Sequence, residues 1–294
     1  MAYESDLLST LIGFIPGAGM LVWGLARALV PPSPRALTRW AARYGLHLSN
    51  VNRSIVSRYL QRTRSLQMAA AGVGWIATGV FVTGTGQFVP LFGVPLMIAI
   101  AGYLLGAVIA EASFLRQLAP PTGMRSAALT PRALLDYVPR LTVWALRALP
   151  AVVVVLAVLY ALTPKHAETP SDVSPTLVLA ASALLVVVAF AVDRLLQAIV
   201  ARPQPAINAE LMAADEAIRA SSIHALSGAG VGLVLVGIGA ALFALQYAST
   251  NDALGAWLGY PATLAILLSL LSWVRLGHPR TWRVRRSSQL LSTP

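Results

Sequence analysis

Apolar residues along this chain collect into seven long runs, 8–30, 68–86, 88–110, 141–162, 175–192, 223–245 and 254–274, separated by short polar stretches. Crossing about 30 Å of hydrocarbon takes roughly 20 predominantly apolar residues in a helix, because backbone left unpaired in lipid is too costly. The pattern therefore predicts an all-α, polytopic helical membrane protein with about seven transmembrane helices, forming one membrane domain over 1–294. Residues 31–66 read as an amphipathic, arginine-rich loop, and 275–294 as a basic tail.

The first run is interrupted by Pro16-Gly17-Ala18-Gly19. Proline removes a helix donor and crowds the carbonyl four residues back. Discontinuous helices of this kind can line a transporter's substrate path, because freed amides and carbonyls face the ligand. A kink satisfied by neighbouring helices is the other reading. If the run folds back as a re-entrant hairpin, six spans remain.

Arginine placement fixes the orientation expected from the sequence. The chain has 21 Arg and one Lys. Every arginine falls in the first, third or fifth connection, in the segment after span 7, or at a span end on that same side. The other side carries Lys165 with Glu4, Asp6, Glu168, Asp172 and Asp252. Positive charge is held inside by short loops, so the chain is expected in the cytoplasmic membrane with its amino terminus outside and its carboxyl terminus in the cytoplasm.

Within 31–66, Ser33-Pro34 supplies a hydroxyl at an N-cap and proline at the first helical position. Arg35, Arg39 and Arg43 then form one stripe, and Leu37, Trp40, Ala41 and Tyr44 the opposite one. This predicts an amphipathic helix lying on the bilayer. Arg280 and Arg283, beside Trp282, suggest a second basic anchor. These lipid-facing arginines either recognise anionic headgroups, at about 1 kcal/mol per basic residue, or only orient the protein. A membrane or cytoplasmic protein partner on that face is the other candidate. Nucleic acid is excluded as a partner, since the arginines are scattered among juxtamembrane loops with no soluble domain to read a groove.

Ala71-Gly72-Val73-Gly74 recurs as Ala229-Gly230-Val231-Gly232, and Gly93-Val94-Pro95 resembles Gly259-Tyr260-Pro261. Both hairpins enter from the arginine side, which gives a parallel 3+1+3 repeat with the fourth span as linker. In topology alone this plan resembles the SWEET sugar transporters. Gly72, Gly74, Gly228, Gly230 and Gly232 are the expected helix-packing positions, where small residues let backbones approach.

Composition narrows the chemistry. Charged residues make up only 11% and hydrophobic ones 57%. Cysteine is absent, which removes disulfides, thiol catalysis and thiolate metal sites. Four histidines lie far apart, and no cofactor or metal motif is visible. No ionisable group sits in the middle of a span, where it would be functional by default. Glu111, Asp193 and Arg147 fall near span ends, and Asp215-Glu216 reads as a solvated acidic turn before His224 and Ser227. An enzyme is not expected. The remaining functions are transport of a small solute or lipid, and a non-catalytic membrane subunit that binds anionic lipid or a partner protein. Abundant Ala, Gly and Val with Arg in place of Lys fit a high-GC bacterial genome.

Overall fold

The computed structural model describes residues 2–85, 94–117, 125–126, 132–163, 174–205, 209–249 and 252–278. Eight α-helices account for most of them: α1 (Ala2–Leu29), α2 (Pro34–Arg43), α3 (Asn50–Thr85), α4 (Val94–Gln117), α5 (Arg140–Leu162), α6 (Pro175–Ala201), α7 (Ala209–Ala248) and α8 (Asp252–Ser272). A π-turn, Trp273–Gly277, extends α8. The short strands β1 (Arg125–Ser126) and β2 (Gln204–Pro205) pair antiparallel between two connections.

Five of these helices are long and apolar enough to cross a membrane: Leu96–Phe114 in α4, then α5, α6, α7, and Gly255–Gly277 through α8 and its π-turn. A sixth is counted if Phe14–Leu29 and Pro34–Arg43, bent by 86°, are taken as one broken span. The expected second span is the apolar half of α3, which runs on toward residues 86–93, outside those described.

The break in the first run lies elsewhere than the sequence suggested. α1 continues as a helix across Pro16, because the cost of one lost hydrogen bond is smaller than that of unwinding in an apolar surrounding. The chain turns instead at 30–33, where Pro31 and Pro32 cannot extend the helix. Ser33 caps the next one, its hydroxyl accepting the Ala36 N–H at 3.4 Å, with Pro34 in the first turn. α2 ends at Tyr44-Gly45, and Gly45 adopts φ 64°, a left-handed conformation that a side chain would disfavour. Asn52 then closes the approach to α3, accepting from the Ser49 N–H at 3.0 Å and donating to the His47 carbonyl at 2.9 Å. The segment 31–66 is therefore two helices, the second being an extension of the following span.

α7 is the centre of the bundle. It is buried almost without interruption from Ala214 to Val234 and packs against α4, α5, α6 and α8. Small residues make this possible. A Cβ on Gly228 would lie 2.6 Å from the Gly277 nitrogen, and one on Gly232 2.9 Å from a Leu104 methyl. Gly230 faces Leu146 and Val192. On the other side of the molecule α3 is clasped by α1 and α4. A Cβ on Gly72 would meet the Leu21 nitrogen at 2.6 Å, and one on Gly74 the Ile98 carbonyl at 2.8 Å. In lipid such close contacts supply the dispersion that holds helices together.

Candidate functional site

The connections that carry the arginines converge at one end of the bundle. Ser49 donates to Glu210, Gln61 to the Ala28 carbonyl, and Tyr137 to Glu216. α2 lies across this end. Its apolar stripe, expected to rest on lipid, is turned into the protein instead: Leu37, Trp40, Ala41 and Tyr44 are buried in the same cluster as Tyr59 and Ile223. Aromatic contacts fix the seat. The Trp40 ring lies 5.1 Å from Tyr44 and 6.0 Å from Tyr59, and Tyr44 stacks on His224 at 6.0 Å. Burial pushes the Tyr44 phenol up to about 12.

Beneath α2 a hydrogen-bonded chain runs into the protein. The Trp40 indole N–H donates to the Ser221 hydroxyl at 3.2 Å, and Ser221 lies 3.2 Å from the Tyr59 hydroxyl. Tyr59 donates to Glu111 Oε1 at 2.7 Å, while Ser222 donates to Oε2. One consistent set of protons therefore points every link toward the Glu111 carboxyl. Glu111 is 1% exposed, and among the described residues no cationic side chain lies within salt-bridge distance of it. The sequence placed it near a span end. It is an interior group, because Tyr59 of α3 and Ser222 of α7 close over it.

Between α2, α3 and the π-turn a cavity of about 240 Å³ opens. Arg39 and Arg43 from α2, Arg64 from α3 and His278 line its polar part, and Trp40, Tyr44, Tyr59 and Trp273 its aromatic part. Arg64 is half-buried, and burial together with the positive field of Arg27, Arg39 and Arg43 works against its charged form. Its guanidinium keeps its proton nonetheless. None of these four arginines has a carboxylate within 4.0 Å among the described residues. Arg27 stacks over the Trp23 ring at 4.6 Å, and the Arg39 Nε donates to the Arg35 carbonyl.

On the other flank the arginines are paired. Arg219, with a fully buried side chain, donates to Asp215 at 3.0 Å and to the carbonyls of Ile199, Val200 and Arg202. Asp215 also binds Arg202, and Glu216 meets Arg132 at 3.3 Å. Asp215-Glu216 is thus an internal ionic knot, not a solvated turn: the connection from α6 folds Arg202 back over it. Arg147 pairs with Asp193 at 3.0 Å on the outside of α5 and α6.

The sequence-derived candidates distribute unevenly over this geometry. Arg39 and Arg43 line the cavity, whereas Arg35 is exposed and does not. Arg280 and Arg283 lie outside the described residues. Of Pro16, Gly17, Ala18 and Gly19, only Gly17 is buried, against Ile76 and Trp75 of α3; Gly19 borders open space. A second cavity, about 440 Å³, lies between α4, α5, α6 and α7 and is lined by Met97, Val153, Leu177, Leu233 and Phe243 among others, with no Asp, Glu, Lys, Arg or His. Pro16–Gly19 lines neither cavity. Sequence reasoning counted Arg64 only among the loop arginines and passed over Tyr59, Thr63 and Gln67, although their spacing of four marks one helix face. No set of three or more His, Asp or Glu side chains is arranged to hold a metal among the described residues.

Comparison with protein-family models, with curated proteins and with solved structures gives no match.

Proposed function

We propose that this is a non-catalytic subunit of the cytoplasmic membrane that engages anionic lipid through its arginine-rich end, which faces the cytoplasm. The carrying observation is the gathering of that end: exposed Arg39, half-buried Arg43 and Arg64, and the last turn of α1 with Arg27 stand together, with no carboxylate within 4.0 Å of them among the described residues. Basic residues at this depth attract the negative surface of the inner leaflet. Seven spans follow if α1 and α3 both cross. For the parallel 3+1+3 repeat, Gly72 meets α1 and Gly74 meets α4; Gly230 and Gly232 reach α6 and α8 but lie nearer to Leu146 of α5 and Leu104 of α4.

The test is the lipid that leaves the membrane with the protein. After gentle detergent extraction, the co-purified lipid is expected to be enriched in anionic species over the bulk membrane. Retained lipid of bulk composition sinks the reading. Orientation is checked separately, using the absence of native cysteine. His47→Cys should react with an impermeant thiol reagent only in inverted vesicles, and Ser174→Cys only in intact cells; the reverse pattern refutes a cytoplasmic arginine end.

One observation favours transport of a lipid as a second reading. The apolar 440 Å³ cavity among α4–α7 could accept an acyl chain. Movement of a labelled lipid between leaflets, faster in vesicles holding the protein than in empty ones, would support it.

A further inference from the structure

The lipid reading above concerns a surface; the cavity under α2 allows it to be sharpened into a site. Like charges brought together and partly desolvated are unfavourable unless an anion joins them. Half-buried Arg27, Arg43 and Arg64 are in that position, with exposed Arg39 beside them, and no carboxylate of the described chain relieves them. Meanwhile the protein spends its buried carboxylates elsewhere: Asp215 and Glu216 on Arg202, Arg219 and Arg132, and Glu111 on hydroxyls.

From this arrangement we infer that the cavity beneath α2 is a binding site for the phosphate headgroup of an anionic membrane lipid, held by Arg39, Arg43 and Arg64. Guanidinium forks bind phosphate oxygens in pairs, and several around one phosphate give both strength and direction. The volume, about 240 Å³, is below that of a drug-sized pocket and suits a headgroup rather than a whole amphiphile. Depth favours a lipid over a free phosphate. The cavity lies where α1 ends at Leu29 and the chain turns 86° into α2, the level of the headgroups for a span that stops there. Trp23, half exposed beside Arg27, and Trp273 in the cavity wall mark the same interface.

The proposal rests on the lipid-binding function, and the experiment separates the two. Full-length protein is stripped of lipid in a mild detergent. Thermal unfolding is then followed with a short-chain phosphatidic acid, a short-chain phosphatidylcholine, and inorganic phosphate. Wild type should be stabilised by the phosphatidic acid and far less by phosphatidylcholine or phosphate. Arg64→Gln should weaken that affinity by about tenfold, equivalent to about 1.4 kcal/mol, with Arg64→Lys recovering part of it. Arg35→Gln, on the exposed face of α2 outside the cavity, should change it less than about twofold, as expected for a screened surface charge. Equal losses in Arg35→Gln and Arg64→Gln would overturn the site while leaving general attraction to anionic lipid in place. Equal stabilisation by inorganic phosphate would overturn the lipid and leave a soluble phosphate compound as ligand. No stabilisation of wild type by the anionic lipid would overturn the site and the broader reading together.

Discussion

Eight arginines at or near one end of this bundle fall into two groups whose electrostatic settings are opposite. Arg132, Arg147, Arg202 and Arg219, on the α5–α7 flank, each meet a carboxylate. Arg27, Arg39, Arg43 and Arg64, on the α1–α3 flank, meet none among the described residues, and they surround or adjoin a cavity. The first group has its counter-ions built in, so its job is complete within the fold. The second group is left with positive charge and space. Positive-inside bias treats all eight alike, since it counts charge by side of the membrane and is blind to partners. The difference separates arginines that hold the protein together from arginines free to hold something else.

The largest expected effect comes from breaking the paired flank. Asp215→Ala would leave Arg219, wholly inside, with backbone carbonyls and a Glu216 oxygen at 3.8 Å as its compensation among the described residues. Stripping one partner from a buried ion pair costs about 3–5 kcal/mol. Thermal or denaturant unfolding in detergent should show a loss of that order. A change under about 1 kcal/mol, the scale of exposed pairs, would mean that the knot is solvated and that the two flanks do not differ.

The unpaired flank should respond in the opposite direction. In lipid-free protein, Arg64→Gln removes one of four crowded like charges and should raise stability by about 0.5–1 kcal/mol, the size of interactions between partly exposed charges. Added salt should stabilise lipid-free wild type by screening the same repulsion, and should do so less in the variant. A variant less stable than wild type in the absence of lipid would show that Arg64 already has its partner.

How much of this was legible in the sequence follows from which interactions are local. The long apolar helices were visible because twenty apolar residues in a row leave few alternatives. The cap at Ser33-Pro34 was visible because it is decided within four residues. The packing glycines could be named but not assigned partners: Gly72 faces α1 and Gly228 the π-turn, contacts set by three-dimensional assembly. Pro16 left two readings open because a proline signals a possible break without saying whether the surroundings tolerate it; the helix continues there and the chain turns at Pro31-Pro32. Glu111 and Asp215 misled for the same reason in reverse. Each sits near a helix end, which gave no sign of burial, yet Tyr59 and Ser222 close over Glu111, and Arg202 from the connection after α6 folds over Asp215. The amphipathic stripe of α2 was read correctly as a pattern, but a stripe does not say whether protein or lipid covers it. Here Trp40 donates to Ser221, 181 residues away, and such a long-range bond has no signature in a helical period.

The last test asks whether the wall between the two flanks is dry. The Tyr44 phenol is raised from 10.0 to about 12, chiefly by burial, with the hydrogen bond to Ser221 and the charge of Arg43 pulling the other way. A weak acid with a raised folded-state value binds its proton more tightly in the folded protein. Its contribution to stability is therefore present below the unfolded value of 10.0 and is lost as pH rises through about 12. Tyr44→Phe has no proton to lose. The stability of wild type relative to Tyr44→Phe should be constant below pH 10 and fall between 10 and 12. Titratable groups other than Tyr44 (Tyr59 and Tyr137 among them) are present in both proteins and cancel from the difference. A difference that stays flat across the window would mean that water reaches Tyr44. The cavity would then be continuous with solvent through the seat of α2, and the four unpaired arginines would be solvated surface charges with no need of an anion.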